Sequence, residues 1–302
     1  MMSDSAALAP GLYLVATPIG NLGDISLRAL DVLKHVDRIA CEDTRQTQKL
    51  LNHYQIDTPT ESLHEHNEHE RTPLLIEALK AGKRIAVVTD AGMPGISDPG
   101  ALLTAAAIAA GIAVVPIPGA NAALSAVVAS GLPSGAFTYL GFLPEKAGQR
   151  RTRLEQLAAQ PPDAPRTIVF YEAPHRIADT LADLEAVFGP DLRIVIAREL
   201  TKMHEEFLRS TVANVRQELA SRDRIRGEMT LVIELPEYLE RVASPSSETI
   251  GARVTRMASE LGVDEKEALK RLARELNRSK SELYRELQRE RAAQRGRTAS
   301  AG

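Results

Sequence analysis

The sequence is poor in cysteine, in aromatic residues and in long apolar runs. Its one cysteine, Cys41, excludes a disulfide framework and a cysteine-rich zinc module, and is typical of the reducing cytosol. No tract approaches the roughly 18 consecutive apolar residues of a membrane span. The start, Met1 to Pro10, lacks the basic-then-apolar pattern of a signal peptide. We therefore expect a cytoplasmic protein that does not enter a membrane.

What is present is the composition of a folded protein. Of the 302 residues, 44% are hydrophobic and 25% are charged, which excludes disordered, collagen-like and coiled-coil classes. The length predicts two or three domains. The net charge is -3, yet residues 244–302 carry 13 Lys and Arg against 9 Asp and Glu. A basic segment on an acidic body favours contact with a polyanion, and a solvated helical face is the simpler alternative.

Short apolar runs alternate with helical patterns in the first part of the chain, as in a parallel sheet covered by helices. The predicted strands there are Leu12–Ala16, Arg38–Cys41, Ile85–Thr89 and Ala113–Ile117, each followed by a predicted helix. Five further strands are predicted, and two of them flank Thr201–His204 too closely for a crossover helix, so the second sheet should be partly antiparallel. The fold class is α/β, with an N-terminal domain over residues 11–133 and a second domain over residues 134–236 that completes a cleft.

Beyond the second domain the chain becomes helical and charged. Two stretches have a helix, turn, helix rhythm, in which Gly262 and Asn277 are predicted helix ends and Asp264 and Ser279 are predicted N-caps. We predict a small helix-turn-helix-like module over residues 246–295, of the kind that binds nucleic acid. A three-helix bundle for dimerisation is the alternative.

Four loops at the carboxyl ends of predicted strands carry the signals of a binding site, because open α/β sheets bind ligands there. They are Thr17–Gly23, Asp90–Gly100, Pro116–Ala123 and, in the second domain, Gly227–Thr230. The sequence contains no G-x-G-x-x-G fingerprint and no Walker A loop, so nicotinamide and P-loop chemistry are disfavoured. Each loop alone is more often a structural turn. Together they predict one cleft between the two α/β domains.

Two further segments, Glu42–Arg45 and Arg198–Glu206, carry functional side chains. Asp43 and Thr44 stand where a helix begins and so suit an N-cap, a role that can coexist with a catalytic one. The segment His64–His69 contains three histidines, but their spacing fits no helical ligand pair and no thiol assists them. We therefore expect no metal site.

Taken together, these segments resemble a known enzyme family. The motifs that carry the resemblance are Leu14–Leu22, Cys41–Arg45, Asp90–Pro94, Ser97–Gly100, Gly141–Pro144 and Arg198–Lys202. Over residues 11–234 the chain resembles the bacterial 16S ribosomal RNA (cytidine-2'-O)-methyltransferase I family of the tetrapyrrole methylase superfamily. Its helical C-terminal part is similar to the helix-turn-helix of that family.

The resemblance implies a two-domain tetrapyrrole-methylase-like fold with a small C-terminal helical module, a homodimer, and S-adenosylmethionine bound in the cleft. It implies that the substrate is a cytidine ribose in the decoding region of 16S rRNA in the small ribosomal subunit. The cofactor positions that it implies are Pro18, Asp90, Gly92, Met93, Ile96, Asn121, Ala122, Tyr171, Leu200, Met229 and Thr230. The departures from the family are Ala120 and Asn121, where proline and serine are more usual, and Ser210, where glycine is common.

By this resemblance, a ribose 2'-hydroxyl attacks the cofactor methyl group in line and S-adenosylhomocysteine leaves, with no metal required. Positioning contributes up to ~7 to 11 kcal/mol, and a general base adds roughly 10² to 10⁴ in rate. The candidate catalytic residues are Lys202, Glu42 and Asp43, with Arg45 as the partner of a phosphate or of the cofactor carboxylate. Lys202 suits a base only if burial lowers its pKa, and otherwise stabilises the developing alkoxide.

Because aromatic residues make up only 4% of the chain and tryptophan is absent, basic surfaces are expected to bind the RNA. Their residues are Lys146, Arg150, Arg151 and Arg153 and, in the helical module, Arg253, Arg256, Lys270, Arg271, Arg274 and Arg278. Two other functions stay open at this point. One is a methyltransferase acting on a small molecule such as a tetrapyrrole, and the other is a ligand-sensing regulator whose helix-turn-helix binds DNA.

Overall fold

The computed structural model describes residues 8–161, 164–236, 250–275, 283–285 and 287–288. The chain divides into two compact units, Met1–Glu237 and Tyr238–Gly302. The first unit contains both predicted sheets, so the structure confirms the α/β class. The boundary near residue 133 between two α/β domains stays a prediction.

The first sheet is parallel throughout, as predicted. Its strands are β1 (Gly11–Val15), β2 (Arg38–Cys41), β3 (Thr60–Ser62), β4 (Arg84–Val88) and β5 (Val114–Ile117), in the spatial order β3-β2-β4-β1-β5. Its helices are α1 (Leu27–His35), α2 (Thr44–His53), α3 (Glu68–Lys80), α4 (Ala101–Ala109) and α5 (Ala122–Ser130). Side chains alternate between two apolar layers, with Tyr13 and Val15 of β1 facing α1 and α2 while Leu12 faces α3 and α4.

The sequence pattern missed β3 and α3. Strand β3 has only three residues, Thr-Glu-Ser, none of them apolar, so it shows no strand pattern. Helix α3 begins in the histidine-rich segment and contains Pro73, a helix-disfavouring residue. The helix has a clear purpose in the fold, because Glu68 Oε1 accepts hydrogen bonds from the backbone amides of Gly100, Leu102 and Leu103 at 2.9, 3.1 and 3.3 Å. Its carboxylate thus satisfies the free amides at the start of α4.

The second sheet is mixed, which confirms the predicted antiparallel pairing. Its strands are β6 (Phe137–Phe142), β7 (Thr167–Glu172), β8 (Arg193–Arg198), β9 (Glu206–Thr211) and β10 (Met229–Glu234), in the order β6-β7-β10-β8-β9. Only β6 and β7 pair in parallel. Helices α6 (Ala147–Ala158), α7 (Ile177–Phe188) and α8 (Val212–Ala220) cover one face of this sheet.

Helix α5 covers the other face of the second sheet. Its buried residues Ala123, Ala126 and Val127 pack in one apolar cluster with Val169 and Val232, which lie on β7 and β10. The chain enters α5 directly from β5 of the first sheet. Helix α5 therefore follows the first sheet in sequence but packs on the second.

The second unit contains α9 (Ile250–Leu261) and α10 (Glu265–Glu275). Gly262 ends the first of these helices with φ at +60°, and the Asp264 side chain accepts a hydrogen bond from the Glu267 amide at 2.8 Å, so the predicted helix end and N-cap are confirmed. The predicted Asn277 and Ser279 lie outside the described residues. The apolar core of this unit is formed by Ile250, Val254, Ala268, Leu269, Leu272, Ala273, Leu283 and Leu287. In the described part of the chain, every helix is too short or too polar to traverse a bilayer.

Candidate functional site

A cavity of about 310 Å³ lies between the loops of the first sheet and strands β7, β8 and β10 of the second. We call it the first cavity. All four predicted loops contribute to its wall. Nine of the predicted cofactor positions line it: Gly92, Met93, Ile96, Asn121, Ala122, Tyr171, Leu200, Met229 and Thr230. The structure therefore brings together residues from distant parts of the chain, as the loop argument predicted.

A second cavity, of about 510 Å³, adjoins the first. The two share Ile19, Ala91 and Glu228 in their walls. The remaining predicted cofactor positions, Pro18 and Asp90, line the second cavity rather than the first. Other residues of its wall are Thr17, Gly20, Leu22, Gln46, Thr47, Lys49, Leu50, Thr89 and Lys202.

The loops after β1 and β4 are joined by a pair of backbone hydrogen bonds. The Thr17 amide donates to the Gly92 carbonyl at 2.9 Å, and the Gly92 amide donates to the Thr17 carbonyl at 3.1 Å. The Thr17 hydroxyl also donates to the Thr89 carbonyl at 3.0 Å. Gly92 has φ at +92°, a conformation that suits glycine. The wall of both cavities is thus fixed at the point where the two loops meet.

The loop after β1 also contacts the turn after β8. A Cβ atom at Gly20 would lie 2.4 Å from Cγ of Lys202, so glycine is required for this close approach. The Asn21 amide donates to the Thr201 hydroxyl at 3.1 Å. Thr201 and Glu199 both have positive φ, at +65° and +51°. Strained backbone of this kind is concentrated at functional sites.

Lys202 is held by two carboxylates. Its Nζ donates to Oε1 of Glu199 at 2.9 Å and to Oε2 of Glu228 at 3.0 Å. Burial works to lower the pKa of Lys202, but the hydrogen bonds and charges of Glu199 and Glu228 outweigh it and raise that pKa above its ordinary value. A lysine acts as a base only if its pKa is lowered, so Lys202 does not meet this condition and is a cation. Two of its three N–H groups donate to these carboxylates.

Two acidic side chains face the buried Thr89 hydroxyl, and Asp90 follows it in sequence. The hydroxyl donates to Oε2 of Glu42 at 3.4 Å and also lies in hydrogen-bonding reach of Asp98. Burial, together with the charges of Glu42 and Asp90, raises the pKa of Asp98 to about 6. Burial likewise raises the pKa of Glu42 and of Asp90. Of these three, Asp98 lines the first cavity, Asp90 lines the second, and Glu42 lines neither.

The other two candidate catalytic residues, Asp43 and Arg45, also lie outside both cavity walls. Asp43 caps α2, because its Oδ1 accepts a hydrogen bond from the Arg45 amide at 2.8 Å. The Arg45 guanidinium turns back to Asp43 at 3.1 Å and is 88% exposed. The cap predicted at Asp43 is therefore confirmed. Contact of Arg45 with a phosphate or with the cofactor carboxylate stays a prediction.

The side chain of Asn121 is divided between two tasks. Its Oδ1 accepts a hydrogen bond from the Leu124 amide at 2.9 Å and so caps α5, while the residue lines the first cavity. The cap explains why asparagine fits where serine is usual, since both residue types are good N-caps.

Aromatic rings form one side of the first cavity. Phe142 and Tyr139 each stack edge-to-face on Tyr171, with ring centroids 5.6 and 5.3 Å from its own. The Ser97 and Tyr139 hydroxyls are hydrogen-bonded at 2.8 Å, which ties the loop after β4 to β6. Phe142 and Asp98 are lining residues that sequence reasoning missed. Both belong to motifs that carried the family resemblance, and membership of these motifs is the signal that could have identified them.

Glu172 lines the first cavity, but its carboxylate is fully used in the fold. Oε1 accepts from the Ala173 amide at 2.8 Å, Oε2 accepts from the Thr180 hydroxyl at 2.6 Å, and Arg176 pairs with it at 3.2 Å. Arg176 also donates to the Leu143 carbonyl at 2.7 Å. This group therefore stabilises the start of α7. Within the described residues, no three His, Cys, Asp or Glu side chains are placed to hold a metal ion.

The expectation that Arg150 binds RNA is wrong, because this arginine is buried in an ion pair. Arg150 is 4% exposed, and its Nε donates to Oδ2 of Asp183 at 2.7 Å. Arg151 donates to the other oxygen of Asp183 at 2.6 Å. In the second unit, Lys270 and Arg271 pair with Glu267 on the same helix. The side chain of Arg274 and all of Arg278 lie outside the part of the chain that is described.

Comparison with known proteins places this geometry in context. Residues 11–216 match the family model of the tetrapyrrole (corrin/porphyrin) methylases. A relative named ribosomal RNA small subunit methyltransferase I, from Halalkalibacterium halodurans, is 52% identical over 223 residues, which are 74% of this chain and 75% of the relative. The protein of the same name from Bacillus subtilis is 47% identical over 277 residues, which are 90% and 92% of the two chains.

The solved structures that this chain resembles have low sequence identity. Uroporphyrin-III C-methyltransferase from Thermus thermophilus, complexed with S-adenosylhomocysteine, superposes with a TM-score of 0.53 at 16% identity and covers 74% of this chain and 96% of its own. A diphthine synthase superposes with a TM-score of 0.54 at 16% identity, over 74% and 89% of the two chains. At this identity the likeness concerns the fold alone.

Proposed function

We propose that this chain, which belongs to the tetrapyrrole methylase family and within it to the ribosomal RNA small subunit methyltransferase I family, methylates the 2'-oxygen of a cytidine ribose in the decoding region of 16S rRNA. The chain is an S-adenosylmethionine-dependent methyltransferase of small-subunit ribosomal RNA. Because it is an enzyme of this kind, the hypothesis of a ligand-sensing regulator is wrong.

The first cavity has the size and the chemistry to hold the cofactor. Its volume of about 310 Å³ falls at the lower end of the range of ~300 to 1,000 Å³ for small-molecule sites. Ile19, Leu200 and Met229 supply apolar walls, while Asn121 and Thr230 supply hydrogen-bonding groups. The nine predicted cofactor positions of this cavity would hold S-adenosylmethionine. When bound, it supplies a methyl group already activated by a sulfonium centre.

The second cavity suits the nucleotide. It adjoins the first and is lined by hydrogen-bonding side chains, among them Gln46, Lys49 and Lys202. A ribose held there would lie beside the cofactor cavity, with its reacting oxygen at the shared wall. Such positioning, with oxygen and methyl carbon ~3 to 3.5 Å apart and in line, supplies most of the rate enhancement.

The observation that carries the proposal is the cationic Lys202 at the wall of the second cavity. Its two carboxylate partners keep its Nζ in a fixed place and its charge present at neutral pH. Negative charge develops on the ribose oxygen as its proton leaves. A preorganised cation beside that oxygen stabilises the transition state without having to move.

The wider assembly also belongs to this proposal. We propose that the protein is a homodimer in the cytoplasm, where its ribosomal RNA substrate lies, and that its helical second unit contacts the RNA. The exposed Leu124 and Val128, one turn apart on α5 and 51% and 76% exposed, support a partner at that face. The excess of basic residues from 244 onward supports the RNA contact.

The test is methyl transfer from labelled S-adenosylmethionine to small ribosomal subunits from a strain that lacks this gene. The modified nucleotide is then located by nuclease digestion and mass spectrometry. We expect label on the ribose of one cytidine of 16S rRNA in the decoding region. Label on a base, or on another nucleotide, would contradict the proposed site. No label on subunits or on rRNA, despite cofactor binding, would favour a small-molecule substrate.

A further inference from the structure

Four carboxylates line the two cavities: Asp90, Asp98, Glu172 and Glu228. Glu172 is used by the hydrogen bonds at the start of α7, and Glu228 is used by the ion pair with Lys202. Asp90 accepts a hydrogen bond from a backbone amide at 3.3 Å. The carboxylate of Asp98 differs from these, because the polar group within its reach that acts on its pKa is a neutral hydroxyl.

That hydroxyl belongs to Thr89, which is 2% exposed and lies between Asp98 and Glu42. Because Thr89 lines the second cavity, Asp98, in the wall of the first, lies next to the place proposed for the ribose. A threonine hydroxyl has one hydrogen to donate and lone pairs to accept with. When Asp98 is ionised, Thr89 can donate to it. When Asp98 is protonated, it can donate to the Thr89 oxygen while Thr89 donates to Glu42. The arrangement therefore accommodates both protonation states of Asp98 by a rotation of one hydroxyl.

The electrostatic surroundings of Asp98 favour a group that exchanges a proton near neutral pH. The titratable groups that act on it are the carboxylates of Glu42 and Asp90, and the hydroxyl of Tyr171 faces it from β7. None of these is a cation. Burial and the two neighbouring negative charges raise the pKa of Asp98 to about 6. At pH 7 it is therefore mostly ionised, yet a stronger base than an ordinary aspartate.

We infer that Asp98 is the catalytic base that accepts the proton of the ribose 2'-hydroxyl, and that Glu42 acts through Thr89 as a positioning residue. This inference rests on the proposed function. In the step, a bond forms between the 2'-oxygen and the methyl carbon while the carbon–sulfur bond breaks, and sulfur keeps the electron pair. The hydroxyl proton passes to an Asp98 carboxylate oxygen and from there to water. Lys202 stays protonated and stabilises the developing charge.

The experiment is single-turnover methylation of undermethylated small ribosomal subunits by the full-length protein between pH 5 and pH 9, at saturating S-adenosylmethionine. For the wild type we expect a rate that rises with pH through about 6, the pKa of Asp98, and then levels. For Asp98→Asn we expect a rate lower by roughly 10² to 10⁴, without this acidic limb. Cofactor affinity, measured by calorimetry, should be unchanged.

Two further variants complete the design. Asp57→Asn makes the same substitution at an exposed aspartate that lines neither cavity, and should keep the wild-type rate and profile. Thr89→Val removes the hydrogen bond that lowers the pKa of Asp98, so its acidic limb should move to higher pH. This variant and the wild-type profile test the inference even if Asp98→Asn fails to fold.

The outcomes separate this inference from the proposed function. If the wild type places no label on a cytidine ribose, the proposed function fails. If the wild type labels it and Asp98→Asn keeps the wild-type rate or the acidic limb, only the role of Asp98 is overturned. The same conclusion follows if Asp98→Asn loses cofactor affinity to an extent that accounts for its lower rate.

Discussion

Nζ of Lys202 lies 3.0 Å from Oε2 of Glu228, which joins the turn after β8 to the start of β10 at the wall of both cavities. The pair sets the charge state of Lys202, because Glu228 and Glu199 raise its pKa. A cation beside the reacting oxygen can then be preserved over the whole physiological pH range.

The first prediction concerns the charge of Lys202. Lys202→Met keeps most of the side-chain stem that contacts Gly20 but removes the cation, so methyl transfer should fall by about 10² to 10³ while cofactor affinity is kept. Single-turnover assays and calorimetry measure the two quantities. Lys80→Met, at an exposed lysine on α3 that pairs with Glu77, is the matched control. Normal turnover by Lys202→Met would remove Lys202 from the mechanism.

The second prediction follows from the Glu228 carboxylate. Glu228→Gln removes one of the charges that raise the pKa of Lys202, so that pKa falls. Because the reaction needs protonated Lys202, its rate is lost as the pH rises through this pKa, and the alkaline limb of the profile should move to lower pH. The rate at neutral pH should change little. Glu234→Gln, at the other end of β10, should leave the limb in place. An unmoved limb in Glu228→Gln would show that the carboxylate does not tune Lys202.

The third prediction concerns the close approach at Gly20. A Cβ atom there would lie 2.4 Å from Cγ of Lys202, whose far end is held by two carboxylates. Gly20→Ala should therefore displace Lys202 and lower the rate by up to about 10²-fold, with the free energy of unfolding changed by no more than about 1 kcal/mol. Gly148→Ala, in α6, meets open space and should keep full activity. Full activity of Gly20→Ala would mean that the lysine relaxes freely.

The fourth prediction separates structure from RNA binding at Arg150. The ion pair of Arg150 and Asp183 is buried, with side chains 4% and 2% exposed. Removing Arg150 leaves Asp183 paired only with Arg151, which is 61% exposed, so Arg150→Ala should lower the free energy of unfolding by about 3 kcal/mol, the lower end of the range for breaking a buried pair. Urea unfolding measures this change. Arg153→Ala, at the exposed surface of α6, should change it by only about 0.5 kcal/mol. If Arg150→Ala is stable but binds RNA less tightly, Arg150 contacts the RNA, as the sequence predicted.

Much of the fold follows from the sequence because its strands are apolar enough to be recognised. The runs around Leu12 and Ile85 become buried central strands of the first sheet. Thr60–Ser62 escaped notice, because a short edge strand made of polar residues has no apolar pattern. Helix α3 also escaped prediction, because Pro73 disfavours a helix locally. The helix forms nevertheless, since its apolar residues pack in the core of the first sheet.

The site was predicted better in its backbone than in its side chains. The family resemblance gave the nine lining positions, and seven of them lie in the four loops at strand ends, because the topology of an α/β sheet fixes where those ends meet. The direction of a long side chain is not fixed in this way. Arg45 turns to Asp43 and Arg150 turns to Asp183, and both choices depend on charged partners whose position only the folded chain reveals.

Helix α5 has a consequence for how ligands reach the site. Ala123, Ala126 and Val127, which follow the first sheet in sequence, are buried against the second. Pulling α5 away from the second sheet would expose this apolar surface to water, at a cost of about 25 cal/mol for each Å². Any movement of one sheet relative to the other therefore leaves α5 on the second sheet and bends the connection over residues 118–121, between β5 and α5. Because Asn121 lines the first cavity, such a bend changes the width of the site through which ligands enter and leave.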